Sequence, residues 1–193
     1  MLLHHYFELL LGSKAKIKIL RVLCKYETKR FTSRELASVA LLSHTAVLKA
    51  LPDLQDMNVV LIEKHGTSHL LTLNQESYCY RFLTSLFQEE AATIEAVKKT
   101  IHRALPEADT IVLFGSVAAK KEEINSDIDI LIITKNKEAC AQHIAKEQVH
   151  WSKVFGNIIA ASIMTKNEFE KKKRTPFVKD LLSKKYSIIR GTL

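Results

Sequence analysis

Four residues within one short stretch have types and spacing that could do chemistry together. "IVLFGSVAAKKEEINSDIDILII", residues 111–133, holds Gly115 and Ser116 after one apolar run, and Asp127 and Asp129 at the head of the next. Side chains alternate along a strand, so two acids one residue apart share a face, with Cβ atoms about 6–7 Å apart. Carboxylates held so close repel unless a cation lies between them. A hard divalent ion suits oxygen ligands, and Mg2+ (or Mn2+) favours one or two carboxylates combined with substrate phosphates. Gly115 permits a tight turn and close approach of backbone amides to a phosphate, and Ser116 adds a hydroxyl donor. Together they form a candidate site for a metal-bound NTP. The corresponding chemistry is attack on the α-phosphate with pyrophosphate leaving, the metal serving as Lewis acid and clamp.

The elements that must position these groups follow from the rhythm after residue 110. "TIVLF", "DIDILIIT" and "GNIIAASIM" (156–164) read as buried strands, with a helix over 137–151 between the last two. Thr165 and Glu168 form a T-x-x-E capping box that opens a helix through 174. Thr175-Pro176 opens another, ending before "YSIIRG". Helices against a small mixed sheet are expected.

Phe114-Gly115-Ser116, a spacer of ten residues (117–126) and Asp127-Ile128-Asp129-Ile130 resemble the bipartite motif of the polymerase-β-type nucleotidyltransferase superfamily. The resemblance spans about 105–191, and "SDID" matches small members. It implies that Asp127 and Asp129 are the catalytic metal ligands, and that Gly115 and Ser116 bind nucleotide. Two features depart from the pattern. Where many small members carry arginine after Gly-Ser, this chain reads Val117-Ala118-Ala119-Lys120, leaving Lys120 or Lys121 as a partial substitute at the phosphates. The third carboxylate, the family's general base, is expected on the strand around 157–164, where Asn157 and Ser162 are the polar residues. Glu168 is accounted for by its capping box, and Glu122 and Glu123 by a solvated loop. Three readings therefore stand. One is an enzyme transferring a nucleoside monophosphate to a hydroxyl. Another is a DNA-binding regulator whose nucleotidyltransferase domain is weak or inactive. The third is an antitoxin-like pairing with a helical partner.

The first 75 residues carry a different pattern. Ser13 caps a helix over 13–26, the Thr32/Glu35 box opens a second, and Ser43 starts a third, with Pro52 inside it and Asn58 as a left-handed terminator. A kink or local break is expected at Pro52. "VVLIEKHGTSHLLTLN" reads as a hairpin turning at 65–68. Three helices and a hairpin resemble a winged helix-turn-helix. On the third helix Ser43, His44, Thr45 and Lys49 lie off the apolar face, while Lys64 and His65 flank the wing, as a major-groove reader with phosphate contacts requires. The alternative is a protein-docking module with these residues as its solvated face. A long amphipathic helix over 76–104 links the two parts, its aromatic stripe serving core packing or a homodimer seam together with "LLHHYFELLL". The expected organisation is thus α+β in two domains: a winged helix over 1–75, a linker helix over 76–104, and a nucleotidyltransferase-like domain over 105–193. Such a fusion resembles an archaeal-type architecture.

Charge supports the division. Lys/Arg against Asp/Glu is 10 to 6 over 1–74, 4 to 4 over 75–104 and 15 to 11 over 105–193, within a formal net charge of +8. A basic balance suits nucleic acid or nucleotides as partners. Three scattered cysteines give no disulfide framework or zinc pattern and suit a reducing cytoplasm. No apolar run is long enough for a membrane span, and no secretory leader is read at the start.

Overall fold

The chain divides into two units, residues 1–92 and 93–193, the first with one buried apolar cluster and the second with two among the described residues. The computed structural model describes residues 4, 6–65 and 68–193, with the side chains of His65 and Ser68 outside the description. Among the described residues no helix is long and apolar enough to cross a membrane.

In the N-terminal unit, α1 (Tyr6–Leu11) precedes α2 (Lys14–Lys25). The Ser13 hydroxyl caps α2 by accepting from the Ala15 amide, and Ile19, Leu20 and Leu23 on one side of α2 are fully buried. β1 (Phe31–Thr32) leads into α3 (Ser33–Ala40), whose capping box is complete: Thr32 accepts from the Glu35 amide and Glu35 from the Thr32 amide. α4 (His44–Asp56) is capped by Ser43 and buries Val47, Ala50, Leu51 and Leu54. The helix passes through Pro52 without a break. Proline removes the donor to the Leu48 carbonyl, but both residues line an open groove where solvent can replace that bond. Asn58 terminates the helix at φ 56, as its type suggests.

β2 (Val60–His65) and β3 (Ser68–Leu73) pair antiparallel from Val60↔Leu73 to His65↔Ser68. The hairpin's turn at Gly66 and Thr67 lies outside the described residues. β1 adds to β3 through Phe31↔Leu71, giving the order β1-β3-β2. Two elements here were not expected from the sequence. β1 is too short to carry an alternating pattern. α1 belongs to the stretch read as a dimer seam, yet its Leu10 is fully buried in the unit's own core. Lys16 reinforces this packing, donating to the Leu9 carbonyl at 2.8 Å and pairing with Asp53 of α4.

α5 (Tyr80–Ala104) begins in the first unit and ends in the second. It starts four residues later than the periodicity suggests. Asn74 accepts from the Glu76 amide and the Ser77 amide bonds back to Asn74, so 75–79 are turns. β4 (Ala108–Leu113), the short α6 (Gly115–Ala119) and β5 (Ile128–Thr134) follow. α7 (Lys137–Phe155) is capped by Asn136 and ended by Gly156 at φ 74. Then come β6 (Ile159–Met164), α8 (Lys166–Lys172), α9 (Pro176–Ser183) and β7 (Ser187–Arg190). The sheet order is β6-β5-β4-β7, with β5–β6 parallel and the other pairs antiparallel. β7, in "YSIIRG", was not read as a strand.

β5 is buried on both faces, and its isoleucines sort by parity. Ile128, Ile130 and Ile132 join Val97, Ile101, Trp151 and Ile159 in one layer. Leu131 and Ile133 join Val112, Met164, Phe169, Val178 and Leu181 in the other. Asp129 shares the face of Leu131 and Ile133, so the α8–α9 side of the sheet carries the acid.

Candidate functional site

The end of β4 rests on Asp129. The Phe114 amide donates to the Asp129 carbonyl at 3.0 Å, and the chain then turns through Gly115 at φ 73. A Cβ on Gly115 would lie 2.0 Å from Asp129 Oδ2. Glycine is therefore required twice, for the left-handed backbone and for the carboxylate packed against it. Ser116 is half-buried, and its carbonyl accepts from the Lys121 amide at 2.9 Å. α6 closes on Lys120 at φ 58.

Asp127 is exposed and lies just before β5 rather than within it. Its neighbours are fixed on both sides. The Asn157 side-chain amide donates to the carbonyls of Ile124 (3.2 Å) and Ser126 (2.8 Å), and the Ile128 amide donates to the Ile158 carbonyl at 2.8 Å. Ser126 also accepts from the Glu123 amide at 2.8 Å. Asp129 is half-buried, and its carboxyl is pushed up from the usual range, first by burial and then by the charge of Asp127. The two acids are thus close enough to feel each other, and a cation would relieve that repulsion. Among the described residues no three His, Cys, Asp or Glu side chains converge as metal ligands. Two carboxylates are what the protein offers a divalent ion, which fits Mg2+ completed by substrate phosphates.

β6 lies beside Asp129 in register Asp129↔Ala160 and Leu131↔Ser162. The face of β6 that neighbours Asp129 therefore presents Ala160 and Ser162, with no acid. Glu168 is fully occupied. It completes the box with Thr165 and takes Lys137 Nζ at 2.9 and 3.2 Å. Hydrogen bonding from the Thr165 backbone, then from Lys137, pulls its carboxyl down to about 2. Such a group is a poor proton acceptor near neutrality.

Next to Gly115 opens a cavity of about 660 Å3, lined by Gly115, Ser116 and Lys121 on one side and by Phe177, Lys184 and Lys185 on the other. Phe114 and Phe177 meet edge to face with centroids 5.9 Å apart. The volume suits a nucleotide-sized ligand; Lys121 and Lys185 bring positive charge to it, while Lys184 pairs with Asp180, which also lines the wall. Lys120 does not line this cavity; Lys121 does. Phe177 of α9 and Lys184 and Lys185 just beyond it were missed because they lie some sixty to seventy residues on, in a segment that reads only as amphipathic. Locally the two adjacent lysines read like solvated ones, so the sequence held no signal for them.

In the N-terminal unit, Thr45 and Lys49 of α4 and Lys64 of β2 are exposed. Ser43 is exposed, but its oxygen caps α4 by accepting from the Ala46 amide at 3.1 Å. His44 is half-buried, with Nε2 2.9 Å from Ser33 Oγ. The His65 side chain lies outside the described residues. A groove of about 770 Å3 between α3, α4 and the hairpin is lined by Arg34, His44, Gln55, Lys64 and His69 over an apolar floor. Arg34 is the arginine that α4 itself lacks; it sits on α3, where helix-by-helix reading did not place it at the groove.

The chain was compared with known proteins on this basis. No curated protein matches it significantly. Among solved structures it is similar to a mutant of the toxin–antitoxin MntA-HpeT, at 13% identity and TM-score 0.37 over 51% of this chain and 73% of that one. It is also similar to TrmBL2, an archaeal chromatin protein described as showing a novel mode of DNA binding, at 14% identity and TM-score 0.32 over 94% of this chain and 75% of that one. The family model "Polymerase beta, Nucleotidyltransferase" matches residues 95–189. The C-terminal unit is thus matched over nearly its whole length by the polymerase beta nucleotidyltransferase family.

Proposed function

We propose that the C-terminal unit binds an NTP with a divalent cation and transfers a nucleoside monophosphate to a hydroxyl acceptor, and that the N-terminal unit is a winged helix that binds duplex DNA. The observation that carries the first part is the packing of Gly115 directly on the carboxylate of Asp129 beside Asp127. A phosphate-approaching turn and an acid pair within one residue's contact suit triphosphate chemistry. Asp127 and Asp129 would hold the cation, which supplies Lewis-acid polarisation of the α-phosphoryl oxygen when bound. Lys121 and Lys185 would neutralise the phosphates, and the exposed ring of Phe177 (43% exposed) would cover the base. Asn157 orients Asp127 through the backbone of the preceding loop.

One observation favours a slow or non-catalytic variant of the same reading, a regulator that senses nucleotide. The face of β6 beside Asp129 offers Ala160 and Ser162 where the family's general base would stand. Loss of a general base costs about 10²- to 10⁴-fold, which leaves a slow transferase. Incubation of the full chain with each labelled NTP and Mg2+ or Mn2+ tests this. Transfer to the protein, RNA or DNA supports the enzyme, whereas metal-dependent NTP binding without transfer supports the regulator. No metal-dependent binding of any NTP defeats both.

For the N-terminal unit, exposed Thr45, Lys49 and Lys64 together with Arg34 at the groove support phosphate and base contacts. Homodimerisation would double those contacts, and the exposed rings of Phe7 and Phe82, 4.8 Å apart, are its candidate surface. Gel shifts with the full chain and mixed-sequence duplex should show affinity falling steeply with salt. Lys49→Ala should weaken it by an amount that shrinks as salt rises. Absence of any shift at micromolar protein and low ionic strength would leave the protein-docking alternative.

A further inference from the structure

Residues 166–185 carry eight Lys/Arg against three Asp/Glu. All three acids already have partners: Glu168 takes Lys137, Glu170 takes Lys173 at 2.8 Å, and Asp180 takes Lys184 at 2.7 Å. Lys166, Lys171, Lys172, Arg174, Lys179 and Lys185 are exposed and make no ion pair among the described residues. Four of the cations are consecutive, Lys171 to Arg174, at the junction of α8 and α9. The junction is held in shape, since both the amide and the hydroxyl of Thr175 donate to the Lys172 carbonyl, at 2.9 and 2.7 Å. Like charges fixed side by side on a hydrogen-bonded turn repel one another, and only a polyanion answers several at once.

We propose that this turn and α9 form a binding track for single-stranded nucleic acid, separate from the duplex-binding face of the N-terminal unit. The geometry suits a strand in three ways. α9 is eight residues long, about 12 Å, long enough to run beside more than one phosphate of a strand. The segment runs from the basic turn to Lys184 and Lys185, so a backbone held at Arg174 is led toward the cavity. Phe177, exposed between those ends, is a platform on which a base of the strand can stack when no NTP base occupies it, the combination that single-strand binders use. A lipid surface fits less well, because an interfacial helix needs an exposed apolar face. Here Phe169, Val178 and Leu181 are buried, and Phe177 lies in the cavity wall.

The test is fluorescence anisotropy of the full chain with a labelled RNA of about 20 nucleotides and single-stranded DNA of the same sequence, over roughly 50 to 200 mM salt. The triple variant Lys171→Ala, Lys172→Ala, Arg174→Ala should bind at least about 10-fold more weakly at low salt. Its slope of log affinity against log salt should be shallower by about 2, from roughly 0.7 per lost phosphate contact. Loss on RNA alone identifies the strand as RNA, and loss on both identifies the shared phosphate backbone as the ligand. Metal-dependent NTP binding and duplex binding should be unchanged in the variant, so failure of either other reading is seen separately. Wild-type affinity and slope in the variant overturn the proposal. So does tighter binding to phosphatidylserine vesicles than to either strand with the same dependence on these three residues.

Discussion

The double variant Asp127→Ala, Asp129→Ala is expected to lose metal-dependent NTP binding by roughly 100-fold or more, the scale of several kcal/mol that a cation contributes at a phosphoryl group. The reason lies in how the acids are held. Asp127 is exposed between two neighbours pinned by Asn157 and Ile158, and Asp129 is half-buried under Gly115. Neither carboxylate forms an ion pair with a protein cation among the described residues. Their removal therefore takes away mutual repulsion rather than a structural bond, and the folded unit should be retained. Calorimetry with Mg2+ and each NTP, alongside thermal unfolding, separates the two effects. A folded variant with wild-type affinity would remove the acids from the site.

Gly115→Val should damage the unit in a way that a second glycine can calibrate. Gly115 and Gly156 have almost the same backbone, φ 73 and φ 74. A Cβ at Gly156 meets nothing within 4 Å, whereas one at Gly115 strikes the Asp129 carboxylate. Gly156→Val thus carries only the left-handed strain, about 1–3 kcal/mol. Gly115→Val carries that strain and must also displace the acid. Each kcal/mol lowers the melting temperature of a unit this size by roughly 4–8 °C. Both variants should melt lower, Gly115→Val by more, and Gly115→Val alone should lose metal-dependent NTP binding. Equal nucleotide binding in the two would mean that displacing Asp129 does not matter to the ligand. The obstruction falls on the acid, not directly on a phosphate, as the turn alone had suggested.

Local grammar was the legible part of this chain. Both capping boxes, the Ser13 and Ser43 caps and the Asn58 terminator depend on residues a few positions apart, and each is found where the sequence puts it. The strands of β4, β5 and β6 were legible from apolar runs. What escaped depends on distant partners. β1 exists because Phe31 pairs with Leu71, and β7 because Ile188 pairs with Val112. The start of α5 is set by Asn74, whose side chain also reaches back to the Asn58 carbonyl. Of the candidate site, the acids and the Gly-Ser turn were visible as a spacing. The far wall of the cavity, brought by α9, was not, since nothing local distinguishes Lys184 and Lys185 from solvated lysines. Asn157 was noted only as a place where an acid was missing. Its role as the clamp on the loop before Asp127 needs the third dimension.

The two-sided burial of β5 also guards against misfolding. A strand sandwiched between two apolar layers could, by composition, slide one residue along its neighbours, because isoleucine suits either layer. Such a slip inverts every side chain. Asp129 would then enter the apolar layer of Val97, Ile101 and Trp151, where the single indole N–H of Trp151 is too little to replace the hydration of a carboxylate. The cost of that mistake is several kcal/mol, comparable to a large share of a domain's stability. One polar side chain thus acts as a proofreading mark for the whole sheet: with an apolar residue at 129 the in-register fold stays the stable one, but the penalty on out-of-register pairing is lost.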